Sequence, residues 1–263
     1  MSPKSLAVVA CLFLAPPLSG HDLWIEPASF RAAAGSDLDL SVRVGERFAG
    51  AAVRLDPGKI VRLVRSGPDG TFDLEPAATG DPAARTGPLA AGAHVLAYEG
   101  GPFRHDMPAD AFSKYLAEEG LDAVLAARRA RGDERRPGRE LYRRSVKALV
   151  VVGDAAGAPR DRALGLPLEL LLESPPETGT GQARVRALFH GEPLPGLLLT
   201  ATPRSEPQAA RSARSDGEGR ALLPLDRPGP WLIKGVHMAA AASGSAAEWE
   251  SWWAALTFAI PAP

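Results

Sequence analysis

The sequence has almost no cysteine, and it has no long apolar run beyond its first twenty residues. Cys11 is the single cysteine among the 263 residues, and it lies in a stretch that has the features of a leader. A mature chain without cysteine can form neither a disulfide framework nor a thiolate metal site. No later run is long enough to span a bilayer, so we expect a soluble chain that does not span the membrane after cleavage.

The sequence also lacks an excess of charge of either sign. It contains 30 basic and 31 acidic side chains, for a formal net charge of −1. The arginine-rich stretch at 128–144 is interrupted by acidic residues, which is typical of a solvated surface. This balance gives no general attraction to polyanions, and we therefore predict no nucleic-acid partner.

Familiar catalytic and cofactor motifs are missing as well. There is no phosphate-binding glycine loop, no dinucleotide fingerprint, no Gly-x-Ser-x-Gly elbow and no His-Glu-x-x-His pair. These absences favour a binding protein over an enzyme and predict no organic cofactor.

The first twenty residues have the order of a signal peptide. Lys4 is followed by an apolar run over residues 6–14, by two prolines and by a small-residue stretch that ends at Gly20. We expect cleavage after Gly20, which makes His21 the first residue of a periplasmic or secreted protein.

Alternating strand patterns dominate the remainder, punctuated by many of the 27 glycines and 25 prolines. In residues 36–44, for example, leucine and valine occupy every second position, which is typical of a half-buried strand. We predict a mainly β protein with two immunoglobulin-like β-sandwich domains, at 21–152 and 161–263. Residues 153–160, rich in Gly, Ala and Pro, are the predicted linker.

One segment of the first domain changes period. Between about 109 and 130 the apolar residues recur at helical spacing, and Gly120 divides the pattern. This predicts a short helical insertion; its apolar positions are Phe112, Tyr115, Leu116, Leu121, Val124 and Leu125.

The new N-terminus offers the strongest candidate for chemistry. A first-position His21 presents its α-amine and its imidazole Nδ1, which can chelate one ion of copper, nickel or cobalt. We predict that His237, near the end of the strand-like segment 231–238, and the carboxylate of Glu26 complete a metal site with His21. Other donors that can converge on the first residue are Asp22, His94, His190 and His105, the last in a segment, 103–107, that resembles a loop.

An alternative function uses aromatic residues instead of a metal. Trp249, Trp252 and Trp253 cluster near the C-terminus, and an exposed aromatic trio can bind a sugar or a protein surface. The same residues can also serve as a plug between the domains. A third hypothesis is an N-terminal-histidine copper redox enzyme.

Three segments together resemble a bacterial family of uncharacterised exported proteins: residues 21–27 (HDLWIEP), 112–121 (FSKYLAEEGL) and 231–238 (WLIKGVHM). That family is labelled NikM-like, a periplasmic component of cobalt/nickel ABC uptake. The resemblance implies an exported β-sandwich protein that binds nickel or cobalt and is linked to metal uptake through a membrane transporter. The absence of membrane spans here departs from transport subunits proper and favours a soluble binding role.

Overall fold

Extended strands account for most of the computed structural model, which describes residues 20–153, 160–174 and 181–262. The strands are β1 (Asp22–Pro27), β2 (Arg31–Ala32), β3 (Asp37–Glu46), β4 (Ala49–Ala52), β5 (Ile60–Gly67), β6 (Gly70–Asp73), β7 (Ala84–Pro88), β8 (Gly92–Met107), β9 (Gly138–Val152), β10 (Leu168–Ser174), β11 (Gln182–Phe189), β12 (Glu192–Pro193), β13 (Leu198–Pro203), β14 (Arg211–Arg214), β15 (Arg220–Pro224), β16 (Gly229–Ala240) and β17 (Trp249–Ile260). The α-helices among the described residues are α1 (Ala109–Glu118) and α2 (Asp122–Ala130), and two short 3-10 helices cover Pro57–Lys59 and Pro207–Ala209. The predicted signal peptide, up to residue 19, and residues 154–159 of the predicted linker lie outside the described residues.

The predicted fold class is confirmed: the protein is mainly β, with sandwich-like sheets and a short helical insertion. The helical period over residues 109–130 predicted the start of α1 and the end of α2 to within one residue. Gly120 lies between them with φ +65°, in the left-handed region that glycine enters without steric cost. No helix in the described ranges is long and apolar enough to cross a membrane.

A large central sheet runs through both halves of the sequence. Among the described residues it has nine strands, in the order β14-β13-β16-β17-β9-β8-β5-β6, with β2 also paired to β9. The halves join where β17 runs parallel to β9, with Trp249 opposite Glu140 and Thr257 opposite Ala148. The two sandwiches therefore share one sheet rather than meeting only through a linker.

The two faces of this sheet carry separate cores, because successive side chains of a strand point to opposite sides. The face that we call the front is covered by the sheet of β1, β3, β4 and β7. The back is covered by the sheet of β10, β11, β12 and β15. Front-face residues include Leu96, Val146, Leu232 and Ala255; back-face residues include Val95, Leu149, Ile233 and Leu256.

The helical insertion covers another part of the front face. Phe112, Tyr115 and Leu116 of α1 pack with Trp249 and Trp253 of β17 in a third apolar cluster. Tyr115 stacks on Trp253, with ring centroids 5.4 Å apart. The insertion therefore contributes to the core beside the start of β1.

Candidate functional site

The start of β1 is fixed to both the sheet and the helical insertion. Asp22 pairs with Gly45 of β3, and its Oδ1 lies 2.8 Å from Nζ of Lys234 on β16. The same ammonium donates a hydrogen bond to Glu119 Oε1 at 2.6 Å, just after α1. A mature N-terminus at His21 would therefore be held by its neighbour at a defined place on the front face.

A small cavity lies beside this N-terminus. We call it the N-terminal cavity, and it is lined by Gly20, His105, Met107, Glu140, Tyr142, Arg144 and Trp253. Gly20 precedes His21, so the peptide bond to the His21 nitrogen begins at a residue that lines the cavity. Cleavage after Gly20 would convert this nitrogen from an amide into a free amine.

His105 lines the cavity, and one of its ring nitrogens has no hydrogen-bond partner among the described residues. This nitrogen is the buried Nδ1, and the residue lies in β8, opposite Glu140 of β9. Burial lowers the pKa of His105, although the charge of Asp106 opposes the shift. The neutral imidazole that this favours is the form that binds metal ions.

The imidazole of His21 lies beside a carboxylate of β3. Its Nε2 lies 3.3 Å from Oε1 of Glu46, and its side chain is 24% exposed. A metal-binding histidine commonly donates one ring N–H to a carboxylate, which leaves the other nitrogen for the ion. Engagement of Nε2 by Glu46 leaves Nδ1, the ring nitrogen that can close a chelate with the α-amine.

One carboxylate and one guanidinium line the cavity. Glu140 is 2% exposed and accepts hydrogen bonds from Tyr115 at 3.1 Å and from Ser251. Burial raises the pKa of Glu140, while these hydrogen bonds oppose the increase. The buried guanidinium of Arg144 lies over the Trp253 ring, 4.3 Å from its centroid, so a cation in the cavity has both a carboxylate and a guanidinium nearby.

The other histidine of the predicted set, His237, lies on the opposite side of the central sheet from Lys234. Its ring packs against Phe189 and Trp252, with centroid distances of 4.6 and 5.8 Å. Strand alternation places its neighbours Val236 and Met238 on the front face and His237 on the back. The structure therefore does not bring His237 to the same face as the start of β1.

The predicted carboxylate ligand, Glu26, is also placed elsewhere. It is five residues along β1 from His21, or roughly 17 Å in an extended strand. Arg204 donates to both of its carboxylate oxygens, at 2.8 and 2.7 Å, and Arg43 lies 3.0 Å away. Burial raises the pKa of Glu26, but hydrogen bonds from Arg204 and Trp24 and the two arginine charges outweigh it, so the pKa lies below its usual value.

The aromatic surface suggested by the sequence is not formed by the three tryptophans. Trp249 and Trp253 are buried beneath the helices on the front face. Trp252 points to the back, where it stacks against His237. Alternation along one strand separates the trio, and this corrects the prediction of a shared exposed patch.

No group of three or more His, Cys, Asp or Glu side chains in the described parts of the chain is arranged to hold a metal ion. A site here therefore needs a donor that is not a side chain, and the α-amine of His21 is such a donor. Residues 103–107 resemble a loop in sequence, so the sequence did not single out His105 as a ligand. The residue in fact lies two positions before the end of the long strand β8, which resumes after the register shift between Gly100 and Phe103.

Comparison with known proteins identifies the family. A family model described as a domain of unknown function, DUF4198, matches residues 18–239. The chain belongs to the DUF4198 family. The match supports an uncharacterised family and gives no support to the nickel or cobalt transport label of the NikM-like resemblance. No curated protein matches this DUF4198 chain.

Several solved structures align with this DUF4198 member at low similarity. A two-domain fibronectin type-III segment from chicken tenascin is 14% identical, covers 82% of this chain and 88% of its own, and has a TM-score of 0.20. The D0-D1 domain of Intimin is 11% identical, with 89% and 96% coverage and a TM-score of 0.22. A tetra-tandem repeat of a large adhesion protein is 11% identical, with 90% and 49% coverage and a TM-score of 0.21. At these scores the similarities carry no argument about function.

Proposed function

We propose that the mature chain is an exported protein that binds one transition-metal ion at its N-terminus. The donors are the α-amine and Nδ1 of His21 together with Nδ1 of His105. The observation that carries the proposal is a cavity lined both by Gly20, the residue before His21, and by His105, whose buried Nδ1 has no hydrogen-bond partner among the described residues.

The donor set suits copper, nickel and cobalt ions. Amine and imidazole nitrogens bind these divalent ions well, and the three carbons between the amine and Nδ1 let the first residue close a six-membered chelate ring on the metal. Glu46 beside Nε2 of His21 is the outer partner that such a ligand commonly has. His105 takes the role that the sequence assigned to His237, and Glu26 has no place in the site because two arginines neutralise it.

Export is part of the proposal, because the amine exists only after the leader is removed. The assembled site would hold its ion in the periplasm or outside the cell. In a metal-uptake role, the protein would deliver that ion to a membrane transporter. No second function is favoured by a specific contact, since the tryptophans that suggested sugar binding point to opposite faces of the sheet.

Calorimetric titration with Cu(II), Ni(II) and Co(II) tests the proposal on two forms of the protein, one starting at His21 and one at Gly20. The extra glycine converts the amine into an amide and shifts the new amine out of the chelate. We expect one ion to bind to the form that starts at His21, and the extension to weaken affinity at least about tenfold.

Two single substitutions separate the proposed site from the one predicted from sequence. We expect His105→Ala to weaken binding and the control variant His237→Ala to leave the affinity unchanged. Equal affinity of the two N-terminal forms, or loss of binding in His237→Ala alone, would overturn the proposal.

A further inference from the structure

A methionine lines the N-terminal cavity together with a histidine. These are Met107 and, two residues earlier on β8, His105, and residues at this spacing lie on the same side of a strand. Met107 is 6% exposed and belongs to the apolar cluster beneath the helices. Its sulfur is therefore the soft donor nearest in sequence to the proposed imidazole ligand.

We propose that Met107 is a further donor in this site and that the site takes copper, as Cu(I) as well as Cu(II). The inference rests on the proposed function and narrows its substrate to one metal. Thioether sulfur favours Cu(I), whereas amine and imidazole nitrogens favour Cu(II) and tolerate Cu(I). A set with both donor types can keep copper bound in either oxidation state.

The charges around the cavity point the same way. Arg144 lines the cavity and is buried, so its guanidinium repels an ion there with little screening by water. A monovalent ion meets half of the repulsion that a divalent ion meets. Glu140, the carboxylate lining the cavity, already accepts hydrogen bonds from Tyr115 and Ser251, which makes it a poor hard ligand for nickel or cobalt.

The chain offers a matched control for Met107. Met238 belongs to the same apolar cluster and is also 6% exposed. It lines a different groove, between α2 and the segment that precedes β13. Leucine substitutions at the two positions therefore make similar changes to the core, but only Met107→Leu removes sulfur from the N-terminal cavity.

The test is Cu(I) affinity, measured anaerobically with ascorbate as reductant and bicinchoninate as the competing chelator, on protein that starts at His21. Cu(II) and Ni(II) titrations are run on the same samples. We expect wild type to bind one Cu(I), Met107→Leu to lose at least about tenfold in Cu(I) affinity, and Met238→Leu to match wild type. Cu(II) affinity should fall much less in Met107→Leu, because its nitrogen donors remain.

The outcomes separate the two proposals. Binding of Cu(II) or Ni(II) without Cu(I), or equal Cu(I) affinities of the two leucine variants, overturns the inference and leaves the proposed function standing. Failure of all three ions to bind overturns both. X-ray absorption at the copper edge of the wild-type Cu(I) form gives a readout that needs no folded variant: a sulfur neighbour supports Met107, and a shell of nitrogen alone refutes it.

Discussion

Replacing Lys147 tests whether the charged cluster at the joint of the two sandwiches is buried as the structure shows. Lys147 lies in β9 on the back face and is 1% exposed. Its ammonium donates hydrogen bonds to Asp161 at 2.7 Å and to Glu169 at 3.2 Å. Lys147→Met retains an apolar stem of similar length but leaves both carboxylates without their cation.

The expected loss of stability depends on the hydrogen bonds that the two carboxylates retain in Lys147→Met. Removing one partner of a buried ion pair costs about 3–5 kcal/mol of the free energy of unfolding. Glu169 still accepts hydrogen bonds from the backbone amides of residues 164–166, and Asp161 from those of residues 162 and 172. These amides solvate the remaining charges, so we expect a loss near the lower limit, about 3 kcal/mol.

Urea-induced unfolding of the mature protein, followed by tryptophan fluorescence, measures this loss. The control is Lys114→Met, which removes an exposed pair with Glu118 on α1 and should cost no more than about 0.5 kcal/mol. Burial raises the pKa of Asp161 in the folded protein, and Lys147 opposes that increase. Without the ammonium this increase is no longer opposed, so Asp161 of the folded variant should keep its proton to a higher pH than Asp161 of the unfolded chain.

The sign of the pH dependence provides a second readout. A pKa raised by folding gives stability that is present at low pH and lost as the pH rises through the folded value. The deficit of Lys147→Met relative to wild type should therefore be larger at pH 8 than at pH 5. A loss below about 1 kcal/mol, or a deficit that does not change with pH, would refute the buried cluster.

Two further predictions probe the helical insertion and the back face. Gly138→Ala should lower the free energy of unfolding in urea by about 1–3 kcal/mol, because the added Cβ would lie 2.2 Å from the buried ring of Phe112. The control Gly217→Ala places its Cβ in open space and should leave the free energy of unfolding nearly unchanged. Burial and the charge of His190 lower the pKa of His237, so the unfolded chain binds more protons than the folded protein below about pH 6.5, and the free energy of unfolding decreases as the pH falls there. His237→Gln should make this decrease smaller. An unchanged pH dependence would contradict the burial of His237 on the back face.

Local patterns were sufficient to predict the fold class but not how the sheets join. Alternation in residues 36–44 and the helical period near 109–130 predicted β3, α1 and α2, because each pattern reflects one buried face. The parallel pairing of β9 with β17 joins residues more than 100 positions apart. From residue 144 to its end β9 is buried on both faces, so its composition carries no alternation that would indicate which strand lies beside it.

The site illustrates a different limit. The position of His21 after a leader predicted a chelate, because that argument needs only the order of residues in the chain. Choosing its partner required the face of each strand, and here the sequence favoured His237, which strand alternation places on the back. His105 could not be singled out, because a break in the β8 pattern at Gly101 and Pro102 made the following residues resemble a loop.

The proposed metal site does not need a cluster of side chains to mark it. An α-amine contributes one donor that side-chain patterns never contain, and the chelate it forms with Nδ1 needs a single further imidazole to approach a usable coordination set. Asp22, held by Lys234 at 2.8 Å, fixes the residue next to that amine. Proteolytic maturation would therefore complete the site in place, without any rearrangement of the sheet, and an uncleaved chain would present only its imidazoles.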